Sequence, residues 1–213
     1  MSTKELILEE ALRQFSEKGF SGTSMSDIAK PLGISKAALY KHFKSKQQIF
    51  DAIIEASEIR YRDVLDKLSL HFSEENSGYI DKNDVDFYSN ISIDELCESV
   101  LTFVRFSMTD NYSRQVRHML TISQFQSEKL SEMYTKRYVD AMLEYDERLF
   151  ERMIRSGVLR NGDPKTLAAM FFAPVWMYMG IWDREPDREK ECEKAIKAHI
   201  EQFCNLTNPD LSY

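Results

Sequence analysis

Residues 24–46, SMSDIAKPLGISKAALYKHFKSK, read as two short helices joined by a tight turn and leading into a third helix. Ser24 followed by Asp27 forms a capping-box pattern, in which the hydroxyl accepts from the N3 amide and the carboxylate reaches back to the cap amide. Gly33 supplies a residue that tolerates positive φ at the turn. Ser35 can cap the second helix. That helix offers Lys36, Tyr40, Lys41 and His42 as polar groups, with Leu39 and Phe43 as its inward pair at i, i+4 spacing. Ser45 with Gln48 repeats the capping pattern and opens the next long helix. A helix-turn-helix of this kind places its second helix in a DNA major groove.

Charge points the same way. The chain has a formal net charge of −7, but residues 1–46 hold eight Lys/Arg against five Asp/Glu. The remaining residues hold 20 basic and 30 acidic side chains. A basic module on an acidic body implies local attraction to a polyanion.

The N-terminal stretches ILEEALRQFSEKGFSGTSMSDIA (7–29) and LGISKAALYKHFKSKQQIF (32–50) resemble the DNA-binding domain of TetR-type transcriptional regulators, the tetracycline-repressor family. The likeness lies in an ordered set of short motifs: Gly-Phe, Thr-Ser, Asp-Ile-Ala, Gly-Ile-Ser, Leu-Tyr-x-His-Phe and Lys-Ser-Lys. By this resemblance and by position, Ser24, Ser35, Lys36, Tyr40, Lys41, His42 and Lys46 should face double-stranded DNA, with Ala37 and Ala38 allowing close approach. Pro31 departs from the pattern, since a helix former is common there. It removes one amide donor and disfavours helical geometry at Lys30, so the first helix of the motif should end early.

Composition bounds the rest of the chain. Its 213 residues can hold one or two domains with a sizeable core. Cys97, Cys192 and Cys204 are odd in number and far apart, which fits reduced thiols in a cytosol better than disulfides or a zinc site. Lys4, Glu5, Glu9 and Glu10 interrupt any apolar leader. The longest uncharged run, Leu167–Trp182, has 16 residues and contains Pro174 and Gly180. It is shorter than the roughly 20 residues a membrane helix needs, so a buried helix and no membrane association are expected.

Nearly every other segment also reads as helix. Leu8, Ala11, Leu12 and Phe15 form an i, i+3, i+4, i+7 stripe. A long helix with Ile49, Ile53, Tyr61, Leu65, Leu68 and Phe72 should run from Ser45 to about residue 71. Residues 73–91 read as a loop. Its run DKNDVD at 81–86 fails as a calcium loop, because Val85 replaces a ligand and Asp86 occupies the glycine position. Ser92 with Glu95 opens a helix to about Met108. A short helix near 112–122 and a long one over 126–155 follow, with Gly157 as its stop. Asp163–Pro164 opens an apolar helix over 164–182. Pro186 ends it, and an amphipathic helix over 187–204 carries Cys192, Ile196, Ile200 and Phe203. No strand pattern competes.

The fold expected is all-α: a three-helix helix-turn-helix DNA-binding domain over 1–46 and a larger helical ligand-binding and dimerisation domain over 47–213. The resemblance implies a homodimer formed through the last two long helices, acting on a palindromic operator. Leu167, Met170, Phe171, Val175, Tyr178 and Met179 cover most of one helix circumference, as burial against both its own subunit and a partner requires. The resemblance also implies a small-molecule inducer. The Met- and aromatic-rich body can form an adaptable apolar pocket, for which Phe103, Tyr134, Tyr138, Phe172 and Trp176 are the candidates. Arg105 and His118 lie in apolar neighbourhoods and read as paired or exposed residues, or as polar anchors for a ligand.

Catalysis is not expected. There is no glycine-rich phosphate loop, G-x-S-x-G or H-E-x-x-H. His42, His71, His118 and His199 fall on separate helices or helix ends, so no metal or cofactor is expected. The reading is a cytoplasmic, ligand-responsive DNA-binding regulator, a repressor released by a small, mostly apolar molecule. The competing reading is a helix-turn-helix factor with a sealed body and no inducer.

Overall fold

The structure is a computed structural model that describes residues 2–67, 86 and 89–210, with the backbone alone for 61–67. Most of the expected 73–91 loop, its DKNDVD run, Leu68, His71 and Phe72 lie outside the described residues. The head contains α1 (Thr3–Lys18), α2 (Met25–Ala29), α3 (Lys36–His42) and α4 (Lys46–Lys67). Further along come α5 (Ile93–Thr109), α6 (Asn111–Ser123) and α7 (Glu128–Thr135). A π turn (Lys136–Asp140) leads into α8 (Ala141–Arg155). Last are α9 (Pro164–Arg184), a short 3-10 turn (Pro186–Arg188) and α10 (Glu189–Thr207). No strand occurs among the described residues.

At the expected caps, Ser24, Ser35 and Asp163 each accept from an amide of the first turn that follows them, and Ser92 with Glu95 completes the box that opens α5. Asp110 and Ser127, which the sequence reading did not single out, cap α6 and α7 in the same way. At α4 the pattern is modified: Ser45 accepts from the Gln48 amide, but the Gln48 side chain reaches the amide of Lys44. α2 stops at Ala29, two residues before Pro31. Lys30, however, keeps right-handed helical geometry (φ −60°, ψ −50°), contrary to the sequence expectation. Its amide still bonds the Ser26 carbonyl, and the chain turns only after the proline, where the Ile34 amide returns to the Ala29 carbonyl. The single helix expected over 126–155 is α7, the π turn and α8 in succession, so the hydrogen bonding widens for one turn within it.

The chain divides into two compact units. The first holds Met1–Val64 and Asp110–Lys136, so α6 and α7 share a unit with the head. Its centre is Phe15, Phe20 and Phe50, with ring centroids 5.2–6.1 Å apart. Ile7, Leu12, Ile28, Leu39, Ile49, Ile53, Met119 and Leu120 are fully buried there. α1 packs along α6, and the amides of Phe20 and Ser21 donate to Ser123 Oγ and Gln126 Oε1, each at 3.0 Å. Gly19 permits this approach: its φ is +73°, and a Cβ would stand 2.6 Å from Gln126 Nε2. The Tyr112 hydroxyl donates to the Ile53 carbonyl at 3.1 Å, and Arg60 pairs with Asp110 at 2.6 Å.

The second unit holds Leu65–Thr109 and Arg137–Tyr213. One core cluster joins Cys97, Leu101, Val104 and Met108 of α5 to Val175, Met179 and Trp182 of α9 and Cys192, Ile196 and Ile200 of α10. A second joins Leu149, Phe150 and Met153 of α8 to Ala168 and Phe203. In α9, Val175 is buried and Phe171 packs on Phe150 and Phe203. The outward face is instead Ala169, Met170, Ala173 and Met177, with Met170 47% and Met177 51% exposed.

Candidate nucleic-acid interface and aromatic cluster

α3 is short, and its two faces differ sharply. Leu39 and Phe43 are buried beneath it, while Lys36, Ala37, Tyr40, Lys41 and His42 are exposed and Ala38 is half-buried. Ser35 Oγ accepts from the Ala38 amide at 3.0 Å. Ser24 is exposed, but its hydroxyl already accepts from the Asp27 amide and donates to Asp27 Oδ2 at 2.6 Å. Those bonds hold the Asp27 carboxyl below the usual carboxylate range. The turn before α3 rests on Gly33 at φ +64°.

Lys46 stands apart from the other basic residues. Its Nζ lies 4.2 Å from the centroid of the Phe20 ring and donates to the carbonyls of Phe20 and, at 2.7 Å, Thr23. Two of its three donors are thus engaged within the head, which leaves one for a phosphate. Enclosure lowers its pKa, and the nearby Asp27 charge offsets part of that shift. Nothing in the residue spacing points to this inward bonding.

In the second unit, three of the five pocket candidates meet. Trp176 stacks on Tyr138 with centroids 5.6 Å apart and on Phe172 at 5.9 Å. All three are half-buried. The Arg137 guanidinium lies over the Tyr138 ring, 5.8 Å from its centroid. Phe103 is half-buried on α5. Tyr134 belongs to the first unit, where its hydroxyl bonds the Thr121 side chain and burial raises its pKa. Arg105 is ion-paired, with Glu193 and Glu98. His118 is half-buried on α6.

The sequence reading missed Asp146. With Leu149, Phe150 and Met153 it forms an i, i+3, i+4, i+7 stripe on α8. That stripe is the signal that could have found it. Burial alone pushes its carboxyl up to about 8. No cluster of His, Cys, Asp or Glu among the described residues is placed to hold a metal ion. No described helix is long and apolar enough to cross a membrane.

Residues 7–53 match the model for bacterial regulatory proteins of the tetR family. The chain is 48% identical over 56 residues to the transcriptional regulator AcrR of Shigella flexneri, covering 26% of each protein. It is 34% identical over 111 residues to IcaR, the negative transcriptional regulator of the icaADBC biofilm operon in Staphylococcus aureus strain Newman, covering 52% of this chain and 50% of IcaR. The matches thus span about a quarter and a half of those relatives' lengths. Among solved structures, a SmeT–triclosan complex superposes with a TM-score of 0.70 at 22% identity, covering 99% of this chain and 93% of that one. SmeT is the repressor of the Stenotrophomonas maltophilia multidrug efflux pump SmeDEF. At that identity the likeness speaks for the fold.

Proposed function

We propose that this chain, TetR-type in its DNA-binding head, is a homodimeric transcriptional repressor that leaves a palindromic operator when a small, mostly apolar molecule binds its body. The observation that carries the proposal is the α2–turn–α3 unit. It is capped at both helices and anchored by Leu39 and Phe43, and it presents Lys36, Tyr40, Lys41 and His42 to solvent. Lys36 and Lys41 are suited to phosphate contact, and Tyr40 to phosphate donation. Ala37 and Ala38 keep the helix thin enough to enter the groove. Ser24 and Ser35 serve mainly as caps, and Lys46 mainly as a brace with one donor left for DNA. The named relative IcaR is a negative regulator and SmeT a repressor, which supports repression as the sign. Free thiols at all three cysteines fit the cytosol.

Titrating operator DNA selected from a genomic library, at several salt concentrations, tests the head. Lys41→Ala should reduce the log–log salt slope by about one unit per head. An unchanged slope removes Lys41 from the interface.

The outward apolar face of α9 supports dimerisation through α9 and α10. A charge at Met177 should therefore give a folded monomer, because a buried unpaired charge is costly. Sedimentation of the unmodified protein as a monomer at micromolar concentration would refute the dimer. The stacked Tyr138–Trp176–Phe172 cluster supports effector binding in the body, and the triclosan complex of SmeT shows that a protein of this fold can hold a small aromatic molecule. A coupling of about 1–3 kcal/mol would weaken operator binding some 5–150-fold. Operator titration with and without the bound effector measures it.

A further inference from the structure

The turn between α1 and α2, residues 19–23, does not close on the head alone. The Phe20 amide donates to Ser123 Oγ and the Ser21 amide to Gln126 Oε1, acceptors 103 and 105 residues later in the chain. The carbonyls of the same turn are taken from within the head. Those of Phe20 and Thr23 accept from Lys46 Nζ at the start of α4. Thr23 Oγ1 donates to the carbonyls of Gln14 and Gly19 at 3.3 and 3.1 Å. α4 thus holds the turn by its carbonyls, and the α6–α7 corner holds it by its amides.

The corner is fitted to that turn. A Cβ on Gly19 would stand 2.6 Å from Gln126 Nε2 and 2.9 Å from Ile122 Cγ2, at a φ of +73° that other residues rarely adopt. Ser123 is fully buried, and its carbonyl accepts from the Gln126 amide at 2.9 Å. A buried hydroxyl that serves a distant amide and a glycine that lets the corner approach are two separate signs that the contact is built. Its position matters because the turn runs directly into Ser24, the cap of α2, and α2 packs on α3. Residues 110–136 share one compact unit with the helix-turn-helix, although the family match ends at residue 53.

We propose that Ser123 and Gln126 are positioning residues for operator recognition: the α6–α7 corner completes the DNA-reading head by fixing the 19–23 turn, and through it the placement of α2 and α3. This rests on the DNA-binding reading above. Neither side chain has to touch DNA. Hydrogen bonds to base edges depend on close placement of the reading helix, whereas long lysines reach phosphates across a range of positions. A loosened turn therefore lowers discrimination before it lowers general attraction to a duplex.

The test titrates the full chain with its selected operator and with a scrambled duplex of the same length. Gln126→Met keeps the length of the side chain and removes the acceptor. The ratio of operator to scrambled affinity should fall about three- to tenfold, the worth of one hydrogen bond. Affinity for the scrambled duplex should change less than about twofold, and the log–log salt slope should match the parent, because no phosphate contact is lost. Gln126→Glu keeps an oxygen to accept from the Ser21 amide and should bring the ratio back to within about twofold of the parent. Phe125→Ala is the control: its ring is 91% exposed at the same corner, and its removal should leave the ratio unchanged. Hydrogen exchange reads the contact without DNA, and the Ser21 amide should exchange about tenfold faster in Gln126→Met than in the parent.

A ratio that survives Gln126→Met, falls equally in Phe125→Ala, or stays low in Gln126→Glu would each overturn the proposal. So would an unchanged exchange rate at Ser21. A lower melting temperature with the ratio intact would make the corner a structural brace and nothing more. The parent chain separates the two levels. A parent that selects no operator overturns the DNA-binding reading and the positioning role with it. A parent that discriminates, with Gln126→Met discriminating equally well, overturns the positioning role alone.

Discussion

The helix-turn-helix head and the α8–α9 hairpin treat polar groups in opposite ways. In the head, Ser24 and Asp27 satisfy each other, Ser35 caps α3, and the Lys46 ammonium joins two carbonyls across 23 and 26 residues of chain. Among the described residues of the hairpin, Asp146 has no hydrogen bond or ion pair and Arg148 Nε is buried without a partner. Satisfied polar networks fix one geometry, which suits a surface that must match the spacing of phosphates. Unsatisfied groups raise the free energy of the empty state and leave room for a ligand to lower it. The contrast sets a region whose polar groups fix one geometry beside a region in which two polar groups lack partners among the described residues.

The strongest challenge to this contrast is the pH dependence of Asp146. Burial pushes its carboxyl up to about 8 in the folded chain, well above the usual carboxylate range near 4. A folded pKa above the unfolded one favours the native state while the folded form alone holds the proton. That contribution is full below the unfolded value and is lost as pH rises through the folded value. The loss between about pH 4 and pH 9 amounts to at most about 6 kcal/mol. Asp146→Asn should remove this loss, so denaturation curves should show the variant gaining on the parent as pH rises. Parallel pH profiles would place Asp146 among satisfied groups and erase the difference between the regions.

Lys46→Met probes the other side of the contrast. It keeps the apolar stem over Phe20 but leaves the Phe20 and Thr23 carbonyls without their donor, at a cost of about 1–3 kcal/mol. Operator affinity should fall together with stability, and the salt slope should drop by less than it does for Lys41→Ala. Equal slope losses in the two variants would make Lys46 a phosphate ligand first and a brace second. Ser35→Ala should have the smallest effect, about 1 kcal/mol from the lost α3 cap. It should be visible in the midpoint of urea unfolding with an unchanged denaturant slope.

The head was legible because its signals are local. Ser24 with Asp27, Gly33, Ser35, and Leu39 with Phe43 each act within four residues, and each takes the place that its type and spacing require. Lys30 was misread because the steric rule before proline is a preference, and here the Ser26 bond outweighs it. In α9 the helix is apolar on nearly every side, so periodicity could not tell the core face of Phe171 and Val175 from the outward face of Met170 and Met177. The π turn leaves no mark in composition. Asp146 was hidden by the habit of assigning charges to helix exteriors, although it stands at the first position of an apolar stripe. Of the pocket candidates, Tyr138, Phe172 and Trp176 come together because helix spacing happens to align them, while Tyr134 belongs to the other unit.

α3 has seven residues, about two turns. Helix nucleation fixes several torsions for a single hydrogen bond, and isolated helices shorter than about 12–15 residues are marginal in water. The segment that would read DNA therefore has almost no helicity of its own. It exists because Leu39 and Phe43 are gripped from below and Ser35 closes its first turn. An excised peptide spanning the motif would be a coil with a few positive charges, able to cling to any duplex and to discriminate none. Sequence discrimination is thus a property of the core beneath the reading helix. Substitutions among the phenylalanines there, which touch no base, would blur specificity as readily as changes on the exposed face.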